Sequence, residues 1–152
     1  HCQREGIHIS GLLTGGMLLF NGRAVQRWVT LPIGVHNAQP YKDGVLFNDT
    51  EADAVRFVSR AGERVLPVPR FPAAALTHMD AEDARLARQA FARGLCVVED
   101  DVVACGSSPS TITLHRLAGG AKPRMATLTH DVRNAIHGLD VWPFAWMDGA
   151  TK

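Results

Sequence analysis

The sequence predicts an all-β fold made of repeated four-stranded sheets, and three observations support this prediction. Short apolar runs of strand length alternate with turn residues along most of the chain. One phrase, a basic residue followed by a small or polar residue and then an apolar strand, begins at four positions: His1, His36, Arg93 and His137. The spacing of the first two is close to the ~40–45 residues of a four-stranded propeller blade. We therefore predict a fragment of a β-propeller with about three blades.

The whole chain, 1–152, is predicted to be one partial propeller domain. Asn21-Gly22 predicts a tight hairpin in the first blade, because both central residues of a type I′ turn need positive φ. Residues 111–117 alternate strictly between buried and exposed types, as a half-buried strand does. The predicted blades lie at about 1–31, 35–69 and 92–129, and the start of a further blade lies at 136–143.

A segment at about 80–92 departs from this strand pattern and predicts a helix. Asp80 can cap its start, arginines follow later in the segment, and Gly94 lies just past its end. We expect this helix to be an insertion packed on one rim of the propeller, with a lid over the channel mouth as the alternative.

A β-sandwich is the alternative fold, because it also contains many short strands separated by regular turns. The repeated opening phrase favours the propeller, since a sandwich does not require such a repeat. Both ends of the sequence resemble cuts within a longer protein, so we expect the remaining blades to come from the same parent chain.

Composition excludes several classes of partner. The formal net charge is +1 without a basic block, so we expect no nucleic-acid partner. No apolar run approaches the ~20 residues needed to cross a bilayer, so we expect a soluble protein without a membrane partner, and the cytoplasm is favoured. The sequence contains only three cysteines, an odd number that does not indicate a disulfide framework. A bridge between Cys96 and Cys105 is open, but two buried thiols are favoured.

The opening phrase also predicts a site. Innermost strands of a propeller run along its channel, so His1, His36, Arg93 and His137 should converge at one mouth. Neutral imidazoles are common metal ligands, which makes His1, His36 and His137 candidate ligands of a divalent metal. Alternatively, histidine and Arg93 together would bind an anion such as a carboxylate or sulfate.

Further roles are assigned around this predicted mouth. If the domain is an enzyme, His36 and His137 are the candidate catalytic residues. Asn37 could orient a substrate, and Asp140 or Asp131 could supply a carboxylate. Each of these histidines could instead bond a backbone carbonyl and lock one blade to the next. The other histidines are expected on the surface or in loops: His8, His78, His115 and His130.

Certain stretches resemble a known kind of propeller. These are His36-Asn37 with residues 41–47, Arg93-Gly94-Leu95 before an acidic turn, and residues 137–143. They resemble bacterial propellers of an uncharacterised type with six or seven blades, which are similar in outline to arylsulfotransferase-like, strictosidine-synthase-like and gluconolactonase-like propellers. The resemblance implies blades around a channel and, as in some members of the wider group, channel histidines.

This chain departs from two patterns within that group. It lacks the Trp-Asp and Gly-His signatures of WD40 repeats and the full acidic metal set of gluconolactonases. Two functions therefore stay open. The first is a mouth that holds a metal or an anionic small molecule for hydrolysis, lysis or transfer. The second is a non-catalytic scaffold that binds protein or carbohydrate.

Overall fold

The computed structural model describes residues 2–80, 88–119 and 122–143, and it shows an all-β chain of three four-stranded antiparallel sheets. The first sheet contains β1 (Cys2–Gln3), β2 (Gly6–Ser10), β3 (Gly16–Phe20) and β4 (Val25–Thr30). The second contains β5 (Val35–Tyr41), β6 (Gly44–Asp49), β7 (Ala54–Ser59) and β8 (Gly62–Pro67). The third contains β9 (Ala92–Glu99), β10 (Val102–Ser107), β11 (Thr111–Arg116) and β12 (Arg124–Thr127).

Within each sheet the strands lie in chain order, each paired with the next. Tight turns permit this meander. At the turn between β3 and β4, the Asn21 side-chain oxygen accepts hydrogen bonds from the backbone N–H groups of Arg23 (3.1 Å) and Ala24 (3.0 Å). Gly22 has a φ of 92°, a backbone conformation that residues with a side chain rarely adopt. The all-β prediction is confirmed, and the three sheets lie within the segments predicted for blades.

The sheets stack face to face in chain order, with a hydrophobic core at each junction. Met17 of the first sheet packs with Val45 and Phe47 of the second. Leu46 of the second sheet packs with Val103 of the third. Because successive side chains of a strand point to opposite faces, β6 contributes to both cores and is apolar on both sides. We call the face that a sheet turns towards the next sheet in chain order its front, and the opposite face its back.

The described residues of the predicted helix at 80–92, which are residue 80 and residues 88–92, are not helical. Residues 81–87 lie outside the described residues, residues 88–91 are non-helical with a turn at 89–90, and β9 begins at Ala92. Ala90 has a φ of 60°, in the left-handed region, and its N–H donates to the carbonyl of Ser108 at 2.8 Å. These bonds to the chain beyond β10 replace helical ones. Among the described residues, the 3-10 turn at Ala73–Ala75 is the one helical element, and no helix there could span a membrane.

Residues 136–143, the predicted start of a further blade, form no strand within the described part of the chain. Ile136 accepts a hydrogen bond from the Gly94 N–H at 2.9 Å and donates to the Ser107 carbonyl at 3.4 Å. Beyond it, residues 137–143 have no neighbouring strand within the described part of the chain, and a strand needs such a ladder.

Cys96 and Cys105 are both buried and free, which confirms the favoured prediction of two buried thiols. Cys96 lies opposite Ala104 and Cys105 lies opposite Leu95. The two thiols therefore point to opposite faces of the third sheet, which explains why neighbouring strands do not bridge them.

We predict that Gly106→Ala destabilises the protein by about 1–3 kcal/mol, because the added methyl group overpacks a close contact. A Cβ atom built on Gly106 would lie 2.6 Å from the Ile136 side chain and 2.7 Å from its carbonyl oxygen. Denaturant unfolding measures the change. Gly138→Ala is the matched control, since nothing lies within 4 Å of its Cβ position. An equal effect of both substitutions would contradict the role assigned to this contact.

Candidate functional site

Two glycines hold the chain after β12 against the inner strands of the third sheet. Gly94 and Gly106 lie opposite each other in β9 and β10. A Cβ atom on Gly94 would come within 3.0 Å of the Ile136 carbonyl oxygen, so side chains at either position would push Ile136 away. This close approach brings the next residue, His137, to the start of β9, where Arg93 lies.

His36, the second residue of β5, is half-buried and has a defined tautomer. Its Nδ1 lies 2.8 Å from the Thr50 hydroxyl and 3.2 Å from the Gly34 carbonyl oxygen. The Thr50 hydroxyl donates its proton to the carbonyl of Ala92 at 3.0 Å, so it can only accept from His36. The hydrogen-bond network therefore assigns the proton to Nδ1 and leaves a lone pair on Nε2.

Arg93, the second residue of β9, extends across an aromatic ring towards a second histidine. Its guanidinium carbon lies 4.1 Å from the centroid of Phe91, a cation–π contact. Its Nη1 is 3.3 Å from Nδ1 and 3.4 Å from Nε2 of His137. The His36 ring also meets Phe91, edge to face, with 6.1 Å between centroids. Phe91 is thus the apolar surface shared by His36 and Arg93.

The charge of Arg93 has no acidic partner in the described part of the chain. Within those residues, no carboxylate oxygen lies within 4 Å of its guanidinium, and its buried Nε has no hydrogen-bond partner. Burial lowers the pKa of Arg93 from its usual value. Burial is also the main reason that the pKa of His36 is lowered, and the positive charges of Arg93 and His137 lower it further. The site therefore holds one guanidinium charge that no ion pair of the described residues compensates.

Asn37, in β5, is hydrogen-bonded to the backbone of Arg93 and of His137. It has a φ of 49°, in the left-handed region that Asn tolerates better than most residues. Its side-chain amide donates to the carbonyl of Arg93 and to the carbonyl of His137, the latter at 3.2 Å. Both amide hydrogens thus bind backbone carbonyls of the protein, and the predicted substrate-orienting role of Asn37 stays a prediction. It also lines an open groove of about 290 Å³, together with Gln39, His137 and Leu139.

The remaining candidates lie elsewhere. His1 is outside the described residues. Asp140 accepts a hydrogen bond from the Val141 N–H at 2.8 Å, and its charge adds to burial in raising the pKa of Cys96. Asp131 pairs with Arg133, which is the main reason that its pKa is lowered to about 2, and it also pairs with His78.

The expectation that His8 and His115 are surface or loop residues is wrong. They are 3% and 4% exposed and lie within β2 and β11. Burial is the main cause that lowers the pKa of both imidazoles. Each lies on the inward face of its strand, at a position where an apolar residue would be expected.

The described residues contain no group of three or more His, Cys, Asp or Glu side chains arranged to hold a metal ion. Of the three predicted metal ligands, His36 and His137 share the site, but the cationic Arg93 contacts His137. A metal held by these two imidazoles would need ligands from outside the described residues.

Sequence analysis missed two residues that shape the site. Phe91 was assigned to the helix, although it stands two residues before Arg93, the spacing that places two side chains on one face of a strand. Thr50 lies in the turn after β6, and no sequence signal distinguishes it from other threonines in turns. Asn48 lies opposite His36 in the pairing of β5 with β6. Thr50 follows two residues later, which brings its hydroxyl within reach of the His36 ring.

Comparison with known proteins found no match: no family model, no curated protein and no solved structure is similar to this chain. The site geometry itself is therefore the basis for any functional conclusion.

We predict that the free energy of unfolding decreases as the pH falls through about 6.5, the value of an unfolded histidine. His36 and His115 have lowered pKa values in the folded protein, mainly through burial, so the unfolded chain binds protons more readily and acid favours unfolding. Denaturant unfolding at a series of pH values measures the slope. His36→Gln and His115→Gln should each flatten it, whereas Leu13→Gln on an exposed loop should not. A slope unchanged in both histidine variants would refute this account.

Proposed function

We propose that the three sheets are blades of a β-propeller and that His36, Arg93 and His137 form an anion-binding site at the mouth of its channel. Two contacts support a shared mouth. β5 contacts β9, and both carry a site residue at the second position of the strand. The segment after Ile136 brings His137 to the same place. In a propeller, further blades would complete the ring, and a longer parent chain is one source of them.

The observation that carries the anion proposal is that the partly buried guanidinium of Arg93 has no carboxylate partner among the described residues. A partly buried guanidinium normally has a carboxylate partner or open water, because an unpaired buried charge is costly. Here the described residues provide two imidazoles and an aromatic ring instead. The buried Nε adds an unmade hydrogen bond, at a cost of about 1–3 kcal/mol. A bound anion would compensate the guanidinium charge.

The chemistry of the site favours a carboxylate or a sulfate as this anion. A guanidinium presents donors in a planar fork that matches two oxygens of such a group. Protonated imidazoles would add donors from either side. A divalent metal is less favoured, because Arg93 would repel it and the described ligands are too few.

Catalysis at this site would depend on His36. Its Nε2 carries a lone pair, and its lowered pKa keeps the imidazole neutral near pH 7. A neutral imidazole beside an anion held on Arg93 can take a proton from that substrate or from water. The proposed reaction class is therefore hydrolysis, lysis or transfer on an anionic small molecule. A purely binding propeller remains the second candidate, since the hydrogen bonds from Asn37 to two backbone carbonyls stabilise the strand openings without a ligand.

We predict that the protein binds sulfate and citrate and that Arg93→Gln weakens this binding tenfold or more. A hydrogen bond to a charged group contributes about 1.5–3 kcal/mol, and 1.4 kcal/mol corresponds to a factor of ten. Affinity should also increase as the pH falls and His36 gains a proton. Isothermal titration calorimetry measures both effects.

Arg23→Gln is the matched control, because it removes the same charge from an exposed turn. Equal losses in both variants would show nonspecific attraction and contradict the proposal. Zinc titration gives the competing result: binding that His36→Ala abolishes and Arg93→Gln leaves intact would indicate a metal site instead.

A further inference from the structure

The turn between β3 and β4 holds an asparagine whose side-chain amide is polarised by the backbone. Asn21 and Gly22 are both exposed and form the Asn-Gly pair of this tight connection. The Asn21 Oδ1 accepts hydrogen bonds from two backbone N–H groups, those of Arg23 at 3.1 Å and Ala24 at 3.0 Å. Two N–H groups that converge on one oxygen stabilise negative charge on it, as an oxyanion hole does. The arrangement therefore favours attack of a nucleophile on the Asn21 Cγ, because such an attack places negative charge on Oδ1.

The backbone nitrogen of Gly22 is the nucleophile next to this carbon. Its attack closes an imide ring, because the Asn21 side chain and the Gly22 nitrogen are neighbours along the chain. Nothing lies within 4 Å of the position that a Cβ atom of Gly22 would take, so the space around this residue is open. Among the described residues, no acceptor bonds the Gly22 N–H. The nitrogen is therefore accessible to a base and to the amide carbon.

We propose that Asn21 is a site of spontaneous deamidation, a covalent modification that the turn itself promotes. Hydroxide removes the proton of the Gly22 N–H, and this nitrogen forms a bond to the Asn21 Cγ. The negative charge that develops on Oδ1 is stabilised by the N–H groups of Arg23 and Ala24. The bond between Cγ and Nδ2 then breaks, and Nδ2 takes a proton from water and leaves as ammonia. No atom is oxidised or reduced, and the proposal does not depend on the anion site.

Water opens the imide ring at either of its two carbonyl carbons and gives two products. Attack at the former side-chain carbon gives an aspartate. Attack at the main-chain carbon gives an isoaspartate, in which the backbone runs through the former side chain. Both products carry a carboxylate in place of the neutral amide, so the negative charge of the chain increases.

The isoaspartate also changes the hairpin, because it lengthens the main chain between β3 and β4. The turn sets the register in which Phe20 pairs with Val25. Met17 and Leu19 of β3 are buried on the front of the first sheet, and Met17 belongs to the core shared with the second sheet. A disturbed register therefore weakens the packing between these two sheets.

The other three asparagines of the chain lack this combination and provide internal controls: Asn37, Asn48 and Asn134. Each is followed by a residue with a side chain, which crowds the backbone nitrogen that would attack. The amide of Asn37 donates to two backbone carbonyls, and Asn48 is fully buried. Asn134 is exposed like Asn21 but precedes Ala135, so it is the matched comparison for the role of glycine.

The test follows the folded protein in mildly alkaline buffer and locates the modified residue by peptide mass spectrometry. Asn21 should gain the mass difference between an amide and a carboxyl group, and isoaspartate should appear at the same position, while Asn134 stays unmodified. The rate should increase with pH, because the attack requires a deprotonated Gly22 nitrogen. Gly22→Ala should lose most of the conversion, since the added methyl group crowds this nitrogen.

Two variants of the neighbouring residue test whether the turn promotes the reaction. Arg23→Pro keeps the Asn-Gly pair but removes an N–H that bonds Oδ1. Its folded form should convert about tenfold more slowly, the factor that corresponds to about 1.4 kcal/mol of transition-state stabilisation. Arg23→Gln removes the same charge but keeps the N–H, so it should convert at the rate of the unmodified chain. Circular dichroism shows whether both variants keep their strand content.

Urea separates the effect of the turn from that of the Asn-Gly pair alone. In urea the turn is lost, so Arg23→Pro and Arg23→Gln should convert at the same rate, and the unmodified chain should convert no faster than when it is folded. Equal conversion of Asn21 and Asn134 in the folded protein would overturn the proposal. Faster conversion of the unmodified chain in urea, or folded Arg23→Pro that reacts at the unmodified rate, would overturn it as well.

Discussion

The close backbone contact among Gly94, Gly106 and Ile136 is the constraint on which the rest of the site depends. It exists because neither glycine carries a side chain where β9 and β10 meet the returning chain. The hydrogen bond from Gly94 to the Ile136 carbonyl fixes that chain in register. Because His137 follows Ile136 directly, its side chain lies beside Arg93. A residue late in the sequence thus joins the opening of β9, and Asn37 connects both to β5 through their carbonyls.

This contact has an electrostatic consequence. Arg93, His36 and His137 share a small space; Arg93 has no ion pair with a carboxylate of the described residues, and Glu51 offsets only part of the lowering of the His36 pKa. Stacking on Phe91 and burial of the stem stabilise Arg93 in part, while the neutral form of His36 avoids a further charge. Structural networks elsewhere in the chain differ: Arg70 and Arg88 both pair with Asp53, and Arg56 pairs with Asp49. This contrast supports the proposal that Arg93 binds a ligand.

The strands could be predicted from the sequence because each is short, apolar and bounded by turn residues, as around Asn21-Gly22. The recurring basic residue also predicted that His36, Arg93 and His137 lie together, since equivalent positions of repeated sheets fall at equivalent places. The backbone bonds of Asn37 could not be predicted. Its bonds are to backbone carbonyls, and the sequence shows only that an amide stands beside a histidine.

Other features depend on contacts between distant segments, which local patterns do not record. The predicted helix relied on Asp80 as a cap, the later arginines and Gly94 past the end, but the hydrogen bonds of Ala90 and Phe91 with Ser108 give the end of that segment an irregular path. The pairing of Gly94 with Gly106 is also invisible before the register of β9 and β10 is known. His115 follows a strict strand alternation, yet its inward direction places an imidazole in the core.

The central claim is that the positive charge of Arg93 acts directly on the imidazole of His36. A pH titration of the histidine ring signals by nuclear magnetic resonance measures this in the unmodified protein and in Arg93→Gln, with Arg23→Gln as the comparison. The account predicts that the pKa of His36 rises when the Arg93 charge is removed and stays constant in Arg23→Gln, because Arg93 is one of the charges that lower it. A His36 pKa that is the same in all three proteins would contradict the account.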